Sequence, residues 1–424
     1  MIGTQAKENR GRSAVRLFAA KHKVAVCSFV FVVLYNYVIV GRFIPWQVNE
    51  ISYTYHLVDF SLGFCSKFLP GAIYRFFFGE RSTLLTATIY ETVLLLVFFA
   101  VLSVFLERFI NELPEDKRSY GYLILLFYLS GPFTFSIFTG ELGMLDVYWL
   151  FFSTLFFIVL NSKAAYVCIP VLYVLCVMVH FSSVVCYLIL MSIILLYRFS
   201  EEPGKNKKFL IILVISVLLA LGTVLYFVAF EQKNLVYDYD TFNQILKQRG
   251  SQNSTYYDTV LYGRGTIDAP YFPEDAQAIE SSLIRSLYRV FYVVWWHLQI
   301  RLEYAEYWWY LPVDLMFIFP LLAGIYKCFM GAFRASEKKL IKLCYFLCMV
   351  QFPFTLAVGI LSSIDDVRWM THAFLIMLTD LIYLMLRDDR LRSQVFALIS
   401  KYRHTLGLDV YFAGYFLTFF WAYH

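Results

Sequence analysis

Hydrophilic length is what this chain has least of. Its largest hydrophilic block, residues 231–285, is only about 55 residues long, so nothing points to a separate soluble catalytic domain. Internal repeats and low-complexity segments are absent. The eight cysteines lack the close pairing of a metal site. Most of them (Cys27, Cys168, Cys176, Cys186, Cys344 and Cys348) fall inside apolar runs, where they read as small buried hydrophobes instead of disulfides or ligands. No ligand cluster argues for a metal, although the acidic pair Asp365 and Asp366 leaves a divalent cation open. A net charge of +5 is modest, and no nucleic-acid partner is expected.

What the chain does have is apolar surface. It is 60% hydrophobic and 20% aromatic, with a mean hydropathy of +0.62. A soluble domain of 424 residues could not hide so much, so lipid must solvate part of it. Apolar runs of roughly 17 to 23 residues recur, the length that about 30 Å of hydrocarbon demands of a helix. The expected fold is an all-α, polytopic helical membrane protein. About eleven transmembrane spans are read: 24–43, 83–105, 119–139, 144–160, 164–180, 182–197, 209–230, 311–330, 340–361, 370–386 and 407–423. The pair 164–180 and 182–197 meets at "VHFSS" with almost no loop, so one long bent element is the alternative there.

Charge sets the orientation. The basic tail, residues 1–23, carries Lys7, Arg10, Arg12, Arg16, Lys21 and Lys23 against Glu8 alone and is expected in the cytoplasm. Counting crossings then puts "RFSEEPGKNKK", "RASEKK" and "RDDRLR" inside, and each holds several basic residues. The segment 231–285, with eight acids and five bases, falls outside. Within the outer region 231–310, "SLYRVFYVVWWHLQI" is placed at the membrane surface as an interfacial helix, which keeps that count consistent. Residues 311–424 supply the C-terminal spans.

With that topology most polar groups of interest collect on the outer side. Outer loop 44–82 holds Glu50, His56, Asp59, Lys67 and Arg75; the turn "TGELGMLD" adds Glu141 and Asp146; His180 lies at the next turn. Farther on come Arg301, Asp366 and Arg368. Carboxylates and guanidinium groups at a membrane surface suit glycosyl transfer from a lipid-linked donor. A carboxylate takes the proton of an incoming hydroxyl, and an Arg fork neutralises the phosphate left on the lipid. Each piece also has a plainer role. Loop charges are ordinarily just solvated, Glu141 and Asp146 suit helix N-termini, and His180 suits a helix end. Two acids, Glu91 and Asp380, lie within apolar runs, where a carboxyl is either functional or paired.

The layout resembles the GT-C class of integral-membrane glycosyltransferases. The likeness rests on a first span followed by a long acidic, amphipathic outer loop, and on the tight turn ending in Asp in "GELGMLDVYWLFFSTLFFIVL". It covers residues 24–230, the GT-C-like transmembrane core. "NEISY" is similar to the start of that loop in several members, except that Asn49 stands where the first acid would be. "DFSLGFCSKFLPG" also looks like a segment of bacterial membrane proteins associated with surface-polysaccharide assembly. The resemblance implies amphipathic helices in the first outer loop and a polyprenyl-phosphate-linked sugar as donor. It further implies a glycan or lipid acceptor and residence in a cell membrane, with the bacterial inner membrane as the expected one. It makes Asp59 the general base, with Glu50 as the alternative, and Asp146 the supporting acid. Arg368 becomes the phosphate partner by its position. Apart from the resemblance, the outer-side groups His56, Lys67, Arg75, Glu141, His180, Arg301 and Asp366 are the candidate substrate-binding residues. The competing readings are an O-antigen or capsule-type polysaccharide polymerase, a lipid-linked glycan transporter or flippase, and a membrane acyltransferase built around His180.

Overall fold

The computed structural model describes residues 20–39, 46–79, 82–130, 134, 135, 138, 142–230, 234–251, 307–362 and 366–402, with isolated positions between 284 and 303. The far N-terminal tail, Glu141, Arg301, Asp365, most of the 286–300 stretch and the 407–423 span lie outside the described residues. What is described is all helical, without a strand among the described residues; one isolated bridge joins Gly63 to Leu235.

The elements run in chain order. Helix α1 (Lys23–Leu34) continues into a π turn (Tyr35–Ile39) and is followed by α2 (Glu50–Leu57), α3 (Phe68–Phe78), α4 (Leu84–Glu112) and α5 (Arg118–Leu129). The middle of the chain forms α6 (Asp146–Val159), α7 (Ala165–Val179), α8 (Tyr187–Glu201), α9 (Lys207–Phe230) and α10 (Tyr239–Gln248). The last part forms α11 (Tyr307–Ala335), α12 (Lys339–Ser362), α13 (Asp366–Arg387) and α14 (Asp389–Tyr402). The 164–197 region is therefore two helices, joined by a 3₁₀ turn over Phe181–Val185.

Local chemistry explains several boundaries. Asn49 caps α2 by accepting the Ser52 N–H at 2.7 Å. Thr83 and Thr86 bond each other's backbone N–H groups and form a capping box at the start of α4. Lys67 has φ of 69°, the single non-glycine residue with positive φ among those described, and its N–H bonds the Met178 carbonyl at 2.9 Å. It ends one segment and α3 starts behind it. Helix α3 leaves Lys67 out and holds both Pro70 and Arg75. Pro70 sits in its first turn, where the missing N–H has no intrahelical acceptor to lose.

Among the described residues five helical stretches are long and apolar enough to cross a membrane: Leu84–Glu112, Lys207–Phe230, Ile318–Ala335, Lys339–Leu361 and Val367–Arg387. Shorter apolar helices accompany them, among them α6 and α7 with 14 and 15 residues. At 1.5 Å per residue these reach only about 22 Å, less than the hydrocarbon thickness. The innermost element is α13, whose apolar window is 94% buried, while α9 at 22% lies on the periphery. Helix α13 packs closely on α12, where the Trp369 ring meets the backbone at Gly359. It also touches α4, α8, α11 and α14.

Candidate functional site

Short turns between antiparallel helices bring the start of α6, the end of α7 and the starts of α8 and α13 to one end of the bundle, with α2 and α3 beside them. Three polar groups are built there.

The first centres on Asp146. Its carboxylate receives a two-pronged bond from Arg368, with Nε at 2.5 Å from Oδ2 and Nη2 at 3.0 Å from Oδ1. Such a fork is the strongest form of the Arg–carboxylate pair. His372 stands one turn beyond Arg368 on the same face of α13, and its Nε2 lies 3.3 Å from Asp146 Oδ1. The other nitrogen, Nδ1, is 2.8 Å from the Tyr187 hydroxyl on α8. Asp146 is 1% exposed and the Arg368 side chain 24%, so the acid is enclosed while its partner is only partly buried. The cap reading for Asp146 does not hold. Asp146 is the first residue inside α6, the N-cap position is Leu145, and the carboxylate is spent on side chains. Tyr55, on α2, lies within electrostatic reach of both charges, and burial above all pushes its hydroxyl up to about 12. His180 is also within reach of Arg368, Asp146 and the buried Lys67. Its Nδ1 accepts the Ser182 N–H at 3.0 Å, the helix-end role expected for it.

The second group centres on Asp59. Oδ2 meets Arg75 Nε at 2.5 Å and Arg249 Nη1 at 3.3 Å, while Oδ1 accepts from the Ser61 N–H at 2.9 Å and from the Ser61 hydroxyl. Arg249, just beyond α10, also donates to the Leu57 carbonyl at 2.7 Å. Burial would raise the Asp59 carboxyl, but the Ser61 bonds and the two guanidinium charges outweigh it and leave its pKa below the usual value. Asp59 follows Tyr55 by four residues, so the two Cα atoms are at most about 14 Å apart. The two acidic centres thus share one end of the molecule without sharing a partner in the described contacts.

The third group is fully buried. His56 Nε2 bonds Glu91 Oε1 at 2.7 Å, and the Tyr148 hydroxyl donates to the same oxygen at 3.0 Å. Both the His56 and Glu91 side chains are 0% exposed. The acid within an apolar run is therefore a paired one. Asp380 likewise accepts from Gln351 of α12.

Glu50 sits exposed on the first turn of α2 and joins none of these groups. Asp366 begins α13. Four residues of the site escaped the sequence reading. His372 was legible, because it follows Arg368 by four positions on one helix. Tyr148, Tyr187 and Arg249 carried no local signal, since their partners are set by packing between distant segments. At the opposite end lies a charged cleft of about 620 Å³, lined by residues that include Arg198, Glu201, Lys338, Arg387, Asp388 and Asp389. Among the described residues no group of three or more His, Cys, Asp or Glu side chains is placed to hold a metal.

The chain has no significant match to a protein-family model, a curated protein or a solved structure. Fold and site together define an all-helical protein with several helices able to span a membrane and a set of ion pairs gathered at one end.

Proposed function

We propose that this protein is a glycosyltransferase acting on the outer, non-cytosolic face of its membrane. It moves a sugar from a polyprenyl-phosphate donor to a glycan or lipid acceptor. In this reading the chain crosses a cell membrane about eleven times with its N-terminus in the cytoplasm, in the manner of the GT-C class. The observation that carries the proposal is the Asp59 carboxylate held between two guanidinium groups, Arg75 and Arg249, contributed by separate outer segments.

The chemistry follows from that arrangement. An arriving lipid phosphate competes with Asp59 for the two arginines. As a guanidinium moves to the phosphate, the carboxylate loses the charge that held its basicity down and becomes the better base. Asp59 then takes the proton of the acceptor hydroxyl while that oxygen bonds to the anomeric carbon. The bond from that carbon to the phosphate oxygen breaks, its electron pair leaves with the phosphate, and Arg75 and Arg249 neutralise the charge. Arg368 supports the acidic centre at Asp146 at the same end.

The test is turnover by the reconstituted protein, supplied with polyprenyl-phosphate sugars and membrane-derived acceptors and read as release of polyprenyl phosphate by mass spectrometry. Asp59→Asn is expected to reduce release at least about 100-fold, the lower range for loss of a general base, with unchanged protein in the membrane. Undiminished release by that variant overturns the assignment. Movement of an intact lipid-linked glycan across the bilayer without bond cleavage would establish the transporter alternative. Growth of a chain on a lipid pyrophosphate would establish the polymerase.

A further inference from the structure

We propose that Glu91 is a positioning residue that fixes the first outer loop through His56; the proposal rests on the transferase reading for its effect on turnover. The His56 ring is oriented at both nitrogens. Nδ1 lies 2.9 Å from the Ser52 carbonyl, which can only accept, so Nδ1 carries a proton. Nε2 lies 2.7 Å from Glu91 Oε1, a contact that needs one proton between the two atoms. The pair therefore holds a proton as imidazolium and carboxylate, or as imidazole and carboxylic acid. In either form the bond joins α2 to α4, and neither side chain meets solvent. Tyr148 of α6 ties the same oxygen to the helix that begins with Asp146. Tyr74 of α3 and Tyr90 of α4 pack their rings edge-on against His56.

The consequence lies on both sides of His56 in the chain. Tyr55 immediately before it lies within electrostatic reach of the Arg368–Asp146 pair, and Asp59 three residues later receives Arg75 and Arg249. A shift of α2 would displace both. Misplacement of a reacting group by about 1 Å costs on the order of 100-fold in rate. Glu91 Oε2 has no partner and is buried, so the carboxyl holds both His56 and Tyr148 through one oxygen.

The experiment compares Glu91→Gln with Glu91→Leu. A glutamine amide can donate one N–H to neutral His56 and the other to the Tyr148 oxygen, so it preserves the tie without a shared proton. Glu91→Gln is expected to keep kcat within about 3-fold, while Glu91→Leu loses on the order of 100-fold in kcat. A second readout is independent of turnover. Cys65, 1% exposed between α2 and α3, reports the order of this loop through its alkylation by a maleimide, followed peptide by peptide because Cys27 is exposed. Cys65 should stay protected in Glu91→Gln and react at least about tenfold faster in Glu91→Leu, a loss of order worth about 1.4 kcal/mol. Should Glu91→Leu fail to accumulate, His56→Asn carries the same comparison. A Glu91→Gln protein that loses kcat while Cys65 remains protected overturns the positioning role, because the proton and not the tie would then matter. Unchanged Cys65 protection in Glu91→Leu and His56→Asn overturns it as well. If the wild-type protein transfers no sugar, the Cys65 comparison still decides whether Glu91 orders the loop.

Discussion

Arg368 does two things that a lysine cannot do together. Its planar fork meets both oxygens of Asp146, and it fills the charge requirement of a carboxylate that is 1% exposed. Removing one partner of a buried pair leaves the other charge uncompensated, at a cost of about 3–5 kcal/mol. Arg368→Ala should therefore lower the heat-inactivation temperature of the detergent-solubilised protein clearly, and adding Asp146→Asn should recover much of the loss. Arg368→Lys should fall between, since one ammonium replaces two parallel bonds. An unchanged inactivation temperature in Arg368→Ala would show that the pair contributes nothing to stability. This pairing was half legible in the sequence. Both residues stood out as charges at the mouths of helices, but they are 222 positions apart and nothing local fixes which acid meets which base. The same holds for Asp59 and Arg249, where the basic partner was one of five in a long segment.

At the scale of elements, α2 and α3 touch through bare backbone. A Cβ placed on Gly71 would lie 1.8 Å from the Val58 carbonyl oxygen and 2.6 Å from that of Tyr55. Those atoms are backbone at the end of α2 and cannot step aside as a flexible side chain would. Gly71→Ala is thus expected to part the two helices and expose the loop that carries Asp59. Gly222 on α9 gives the contrast, for nothing lies within 4 Å of an added methyl there. Gly222→Ala should be neutral or stabilise its helix by about 0.5–1 kcal/mol. Alkylation of Cys65 and the heat-inactivation temperature measure both: faster labelling in Gly71→Ala, no change in Gly222→Ala. Protection of Cys65 in Gly71→Ala would mean that the close approach can be relieved cheaply. Helix positions were mostly legible in the sequence because apolar runs and caps are local properties. Helix lengths were less so. Within the run 119–139 the first described helix, Arg118–Leu129, stops at Ser130, and α8 starts at Tyr187, five residues later than read, behind its 3₁₀ turn.

For the molecule as a whole, the two ends are chemically distinct. Arg368 and Arg387 frame α13 and are 19 residues apart, about 28 Å along a helix, close to the thickness of a hydrocarbon layer. Around Arg368 lie Asp146, His372 and Tyr187; around Arg387 lie Glu201 and Arg198, with Lys338 bonding the Glu201 carbonyl. Between the two ends the acid Asp380 is tied to Gln351 of the neighbouring helix α12. A bundle with charges at both ends and apolar faces between them fixes the sidedness of every loop once a single loop is placed. Phe60, exposed beside Asp59, and Gly204, with open space around it in the turn between α8 and α9, mark opposite ends. In intact cells an impermeant maleimide should therefore label Phe60→Cys, while Gly204→Cys should react only after the membrane is opened. The reverse pattern would put Asp59, Arg75 and Arg249 in the cytoplasm, where an outward-facing lipid-linked donor cannot reach them. Labelling of both from one face would mean that α13 does not cross the membrane and that its two charged ends face the same solvent.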